Sequence, residues 1–478
     1  MYYRALIPFV MLVALSIVGL LAPISVPAAS GAPVNSGDTA WMLTAAGLVL
    51  LMTPGLSFFY GGMVRIKNVL STMLQSFIAM AVISIIWVVV GFSLVFGDSI
   101  GGFIGNPTTY YMFRGVGGAT NAALSPTIPL VLFALFQLKF AIITPALVSG
   151  AFAERVRFSS YMIFISLFTI VIYCPLAHAT WNPDGLLHKW GVLDFAGGTV
   201  VHMSAGLAAL AGAFVLGPRS DHKRRQHTMP ANIPYVLLGT GLLWFGWFGF
   251  NAGSALSASP LASHAFMTTN TASASALLSW MLFDRMRGLK PSALGSCTGA
   301  VVGLVAITPA AGYVSVGASI FIGVAASVVS NLVAYGRSKS ALDDTLDVFP
   351  CHGVGGMFGM ICTGFFASTV INTSGANGLM YGETTLFLHH VVSLIIVTVL
   401  VFSVSCLLYK VTNWISPLRV DAEQERVGLD ISQHGESVTA EAQSGQLGHL
   451  KPALVTAVHS DDEMLGKQSA RPGLTHRS

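Results

Sequence analysis

A chain of 478 residues that is 54% apolar and only 9% charged, with a mean hydropathy of +0.71, is not built for water. Its composition is that of a polytopic membrane protein. The net charge of +4 is small and dispersed among loops, which argues against nucleic acid and fits the excess of Lys and Arg on cytoplasmic membrane loops. Five cysteines (Cys174, Cys297, Cys351, Cys362, Cys406) lie in or beside apolar runs without CxxC spacing, so neither a disulfide framework nor a zinc site is indicated.

Residues 1–30 hold Arg4, an apolar run from Ala5 to Leu21 and small residues around Ser25 to Gly31. This is the three-part pattern of a cleaved secretory signal, the alternative being an uncleaved first membrane helix. A transmembrane domain over 31–415 follows. Stretches long enough to span a bilayer, at about 20 residues each, fall near 39–63, 69–97, 127–152, 159–177, 195–216, 232–253, 263–283, 292–311, 314–335, 350–370 and 384–410. The fold class is therefore all-α, with eleven transmembrane helices. Residues 416–436 turn polar, and 437–478, rich in Ser, Gly, His and charge without periodicity, read as a disordered extension.

Alternate loops carry nearly all the basic residues: Arg65 and Lys67, Arg155 and Arg157, Arg219 with Lys223 to Arg225, Arg285 with Arg287 and Lys290, then Arg337 and Lys339. The intervening loops have Arg114 and Lys189. Basic loops stay in the cytoplasm, so the mature N-terminus is expected outside and the C-terminus inside a cell (inner) membrane.

An Asp followed eight positions later by His occurs twice, at Asp194 to His202 in DFAGGTVVH and at Asp344 to His352 in DTLDVFPCH. Each acid stands where a loop becomes an apolar helix, and eight α-helical steps of about 1.5 Å carry the imidazole about 12 Å into the membrane. Spans five and ten run in opposite directions in this arrangement, so the histidines meet near the midplane, as in an inverted repeat with a central site. Glycines 239, 241, 246, 249 and 253 in one span allow close helix contact.

Six motifs in order resemble the ammonium transporter family (Amt, Mep and Rh), in its bacterial Amt form: LLMTPGLSFFYGGMVRIKNVL at 50–70, the run from Phe136 through AFAERVRFS, DFAGGTVVHMSAG at 194–206, GWFGFNAGSA at 246–255, HGVGGMFGMICTGFFA at 352–367, and LRVDAEQERVGLDISQHGE at 418–436. The resemblance implies inverted five-helix repeats plus a final long helix, a homotrimer with one pore per subunit, and a regulatory tail at 416–436 open to a PII-type signal protein. It implies a non-enzymatic function, conduction of ammonium or ammonia, with no cofactor and no metal. Motif by motif, Phe140 and Phe250 match a stacked pair closing the pore, Trp181 and Ser254 an external cation vestibule, His202 and His352 the twin pore histidines, and Asp194 the acid beside that vestibule.

The residues support such chemistry. A cation sheds water at high cost in an apolar medium. Aromatic faces return about 0.5 to 2 kcal/mol per contact, and the Ser254 hydroxyl accepts a hydrogen bond that potassium cannot donate. Each neutral imidazole has one donor and one acceptor nitrogen, so a facing pair can relay a proton. Asp194 has two competing readings, a cap on the exposed N–H groups of its helix or a source of field for the cation. Lys139, directly before Phe140, is out of place in a pore. Its displacement of about 100° from Phe140 turns it from the lumen, toward a polar partner between helices. His178, His188, His389 and His390 lack the repeat relation and receive no role. A Rh-like neutral gas channel and an ammonium sensor signalling through the tail are the alternatives. A metalloenzyme finds no third ligand near His202 and His352.

Overall fold

The computed structural model describes residues 2–21, 29–226 and 228–438. The expected cleavage region largely coincides with residues 22–28, which lie outside the described residues, as do 439–478 of the polar extension. The described residues are predominantly helical, with one small hairpin among them, Ser99–Ile100 against Ile104–Gly105. Helix α1 is Tyr2–Leu21, whose large apolar side chains from Leu6 onward are mostly exposed.

The bundle begins with α2 (Ser36–Met63) and α3 (Val69–Ile86), the latter prolonged by a π-helical Trp87–Gly91 and Phe92–Phe96. Next come α4 (Leu130–Val148) and α5 (Phe158–Phe168, continued through a π-helical Thr169–Tyr173 to Cys174–Trp181). Helix α6 opens as the π-helix Gly198–Met203 and continues as Ser204–Leu216. Then follow α7 (Ile233–Gly253), α8 (Pro260–Met286), α9 (Ala293–Ile307) and α10 (Val316–Ser338). Helix α11 again opens as a π-helix, Phe349–Val354, before Gly355–Phe366, and α12 is Thr384–Ile415. Among the described residues eight helices, α2 to α7 with α10 and α12, are long and apolar enough to cross a membrane.

Local chemistry sets the helix starts. Side chains of Asn35, Asn232, Ser259, Ser292 and Ser315 accept a backbone N–H from the first turn of α2, α7, α8, α9 and α10. Proline stands in the first turn of α7 and α8, where its missing N–H costs nothing. The buried stripe of α12 runs Leu386, His390, Ser393, Val397, Val401, Ser405, Leu408 and Thr412, at helical spacing. Its opposite face, with Leu388, Ile395, Val399 and Leu407 exposed, suits lipid.

Glycine governs two close crossings. A Cβ on Gly239, Gly246 or Gly249 of α7 would fall 2.3–2.7 Å from atoms of α2, whereas Gly241 faces open space. A Cβ on Gly206 of α6 would lie 2.1 Å from the amide nitrogen of Gly353 in α11. These two helices run antiparallel. The start of α6 lies beside Trp181 and its end, at Leu216 and Gly217, beside Arg419 and Arg155. Helix α11 begins beside Arg155 and Arg219, through Asp343, and ends where Ser368 bonds Tyr313 on the far face.

The basic loops do share one face. Buried Glu154 receives the Arg65 backbone N–H at 2.7 Å and Arg219 Nη1 at 2.6 Å, and Arg219 also binds Asp343. The tail docks on the same face of its own chain. Arg157 N–H donates to Leu418 O, Ser220 N–H to Glu425, and Leu429 N–H to the Asn68 side chain. Asp430 accepts from Leu70 and Ser71, the first turn of α3.

Candidate functional site

Two cavities adjoin at the Phe140 and Phe250 rings. The first, about 150 Å³, opens on the face away from the basic loops and is lined by Trp181, Ser254, Phe140, Gln137, Phe195 and neighbouring apolar side chains. The second is buried at the crossing of α6 and α11, lined by His202, His352, Phe250, Trp247, Leu56, Ile143 and other apolar groups. At about 10 Å³ it is at the threshold for holding one water.

Phe140 lines the first cavity and Phe250 the second, and their rings lie against one another with centroids 4.3 Å apart and planes 31° apart. They form the partition between the two spaces. Trp181 stands edge-on to Phe140 at 5.7 Å, and its indole N–H donates to the Asp194 carbonyl at 3.1 Å. The Ser254 hydroxyl donates to Phe250 O at 2.9 Å. Its one proton is thus used and its lone pairs remain for a donor.

Below the partition the imidazoles meet Nδ1 to Nδ1 at 3.2 Å, ring centroids 5.3 Å apart. One of these nitrogens donates and the other accepts. His202 also stacks on Trp247, whose indole is fixed by Thr308. The second nitrogen of His202, Nε2, is buried with no hydrogen-bond partner among the described residues. An unpaired buried polar atom costs about 1–3 kcal/mol, which a polar molecule in the lumen would relieve. The glycines make the meeting possible: a Cβ on Gly356 would touch Gly198 O and the His202 Cβ, both near 3 Å.

Asp194 lines neither cavity. Its carboxylate accepts the N–H groups of Gly197, Gly198, Thr199 and Val200 at 2.6–3.4 Å. Asp344 repeats the arrangement with Val348 and Phe349. Lys139 is buried and also lines neither cavity, but the expected polar partner is missing: among the described residues its ammonium makes no hydrogen bond or ion pair. The structure brings together Phe140, Phe250, Trp181, Ser254, His202 and His352. The sequence reading missed Gln137, whose Oε1, in the first cavity's lining, is buried without a partner among the described residues, and Trp247. They stand three residues before Phe140 and Phe250 respectively, hence on the same helical face.

Fold and site together define a multi-pass membrane protein of the transporter or channel kind. The Ammonium Transporter Family model matches residues 40–439, and the chain belongs to that family. It is 47% identical over 406 residues to a putative ammonium transporter of Methanothermobacter thermautotrophicus, covering 84% of this chain and 98% of the relative. It is 46% identical to the ammonium transporter of Bacillus subtilis, with the same two coverages. The crystal structure of Saccharomyces cerevisiae Mep2 superposes with a TM-score of 0.77 at 35% identity, covering 82% of this chain and 88% of that one.

Proposed function

We propose that this transporter recruits ammonium in the Trp181 cavity, strips it at the phenylalanine partition and passes ammonia through the histidine cavity while the proton moves along the histidine pair. The observation that carries this reading is the Nδ1 to Nδ1 contact of 3.2 Å between His202 and His352 inside an otherwise apolar space of about 10 Å³. A hydrated cation does not fit there, and a bare one is poorly compensated by hydrocarbon. Neutral ammonia fits, and it offers hydrogen-bonding capacity to the orphaned His202 Nε2.

Recruitment divides the work among the lining groups. Trp181 and Phe140 supply ring faces, while Ser254 and the Gln137 carbonyl oxygen accept N–H bonds. Asp194 holds the N-terminus of α6, keeping the Trp181 acceptor and the His202 segment in place. Phe140 and Phe250 must part for passage. Separate transfer of the proton makes the net flux electrogenic.

In the membrane we assign eleven spans, α2 to α12, with α2–α6 and α7–α11 as inverted repeats. The Trp181 cavity faces outside, the basic face and tail lie in the cytoplasm of a cell membrane, and residues 1–30 are a cleaved signal. Three such chains form a homotrimer, and the tail face is where a PII-type protein docks.

Current and uptake in one proteoliposome preparation test the relay. The single variants His202→Ala and His352→Ala and the double variant, inserted at equal levels, are expected to lose most of the ammonium current. Wild-type current in the double variant would reduce the pair to packing.

A further inference from the structure

His390 lies on the buried stripe of α12 and is fully buried, its Cβ and Cγ pressed against Gly364 of α11. Its ring bridges two other parts of the chain. Nδ1 lies 2.7 Å from Met360 O, and Nε2 lies 3.1 Å from the backbone nitrogen of Leu193. A carbonyl only accepts and an amide N–H only donates, so these partners define one state of the ring. Nδ1 carries the proton, Nε2 is bare, and the imidazole is neutral.

The turn that His390 grips is the one on which the outer cavity depends. Leu193 precedes Asp194, whose carbonyl receives the Trp181 indole N–H at 3.1 Å and whose carboxylate caps α6. The neighbouring tethers of this turn are backbone to backbone: Val192 N–H to Leu187 O and Phe195 N–H to Pro309 O. At Leu193 itself the imidazole alone closes the bond among the described residues. Without it the Leu193 N–H is left without that partner, and the Asp194 carbonyl, whose peptide unit is still tied through Phe195 N–H to Pro309 O, loses one of the anchors of its turn.

We propose that His390 is a positioning residue for ammonium recruitment, clamping the Leu193–Asp194 turn to α11 so that Trp181 keeps its orientation over the outer cavity. The inference rests on the reading of that cavity as the recruitment site. A side chain with one donor and one acceptor should therefore substitute, and one with neither should not.

The test uses the full chain in proteoliposomes, with half-saturation and maximal ammonium current read separately for His390→Leu, His390→Gln, Trp181→Leu and the His390→Leu, Trp181→Leu double variant. His390→Leu is expected to raise half-saturation about fivefold, the factor that one lost hydrogen bond corresponds to, with maximal current changed by less than about twofold. His390→Gln should restore half-saturation, and in the Trp181→Leu background His390→Leu should add little, because the clamp acts through the indole. An unchanged half-saturation in His390→Leu overturns the proposal, as does an undiminished effect in the Trp181→Leu background. Should the leucine variant fail to insert, the glutamine variant decides alone: wild-type half-saturation supports the clamp and a several-fold rise overturns it. If Trp181→Leu itself leaves half-saturation unchanged, the reading of the outer cavity fails first and the clamp falls with it.

Discussion

His202 and His352 meet because the backbones beneath them nearly touch. At Gly206 a methyl group would fall 2.1 Å from the Gly353 nitrogen and 2.3 Å from its Cα, and backbone cannot rotate aside as a side chain can. Gly206→Ala should therefore part α6 from α11, at a typical overpacking cost of about 1–3 kcal/mol, and separate the imidazoles. We expect it to fold with a lowered melting temperature in detergent and to lose current nearly as fully as the histidine variants; full current would show that conduction does not need the imidazoles in contact. Lys139 gives the opposite case. The residue is largely buried and its ammonium makes no ion pair or hydrogen bond among the described residues, so Lys139→Met removes a charge that no group there pairs. Melting temperature should rise or hold while half-saturation stays at the wild-type value. A clear loss of stability would mean that the ammonium is satisfied in the assembled protein.

Among the elements, the long apolar helices were readable because a bilayer imposes one length and one polarity on each, and the ends lie where Asn35, Asn232, Ser259 and Ser315 cap them. The Asp-to-His spacing located both segments that bring the histidines together, yet its depth of eight α-helical steps does not hold. Helix α6 starts at Gly198, after Gly197 at φ +116°, and opens as a π-helix, as does α11 at Phe349. Apolar periodicity does not separate a π-turn from an α-turn within six residues. Contacts between distant segments were illegible for another reason: nothing near Asn68 or Asp430 announces the other, although together they fasten the tail to α3. Removing the Asp430 cap costs about 1 kcal/mol, and it should act on the tail before the bundle. Asp430→Ala is expected to speed trypsin cleavage after exposed Arg426 with little change in the melting temperature of the core. Equal cleavage rates would mean that the tail is held without this cap.

For the whole molecule, the basic face works as a clasp joining loops that are far apart in sequence. Glu154 lies between Arg65 and Arg219, Arg219 reaches Asp343 just before α11, and Arg419 of the tail pairs with Glu425. The clasp thus connects the ends of α2, α4 and α6 to the start of the second histidine segment. Burial alone would raise the Glu154 carboxyl, but Arg219 and Arg65 outweigh it and hold it at about 2. An acid depressed in this way favours the folded state above its unfolded value of about 4.3 and gives up that contribution as pH falls toward about 2. Glu154→Gln removes the charge at every pH and leaves two arginines facing each other, a loss of roughly 3–5 kcal/mol for a broken buried pair. Its melting temperature should lie well below wild type at pH 7, and the gap should narrow below about pH 4.3, where the unfolded wild type takes up the proton that the folded glutamate refuses. A gap that stayed constant from pH 7 to pH 3 would mean that the glutamate acts through shape and not through charge.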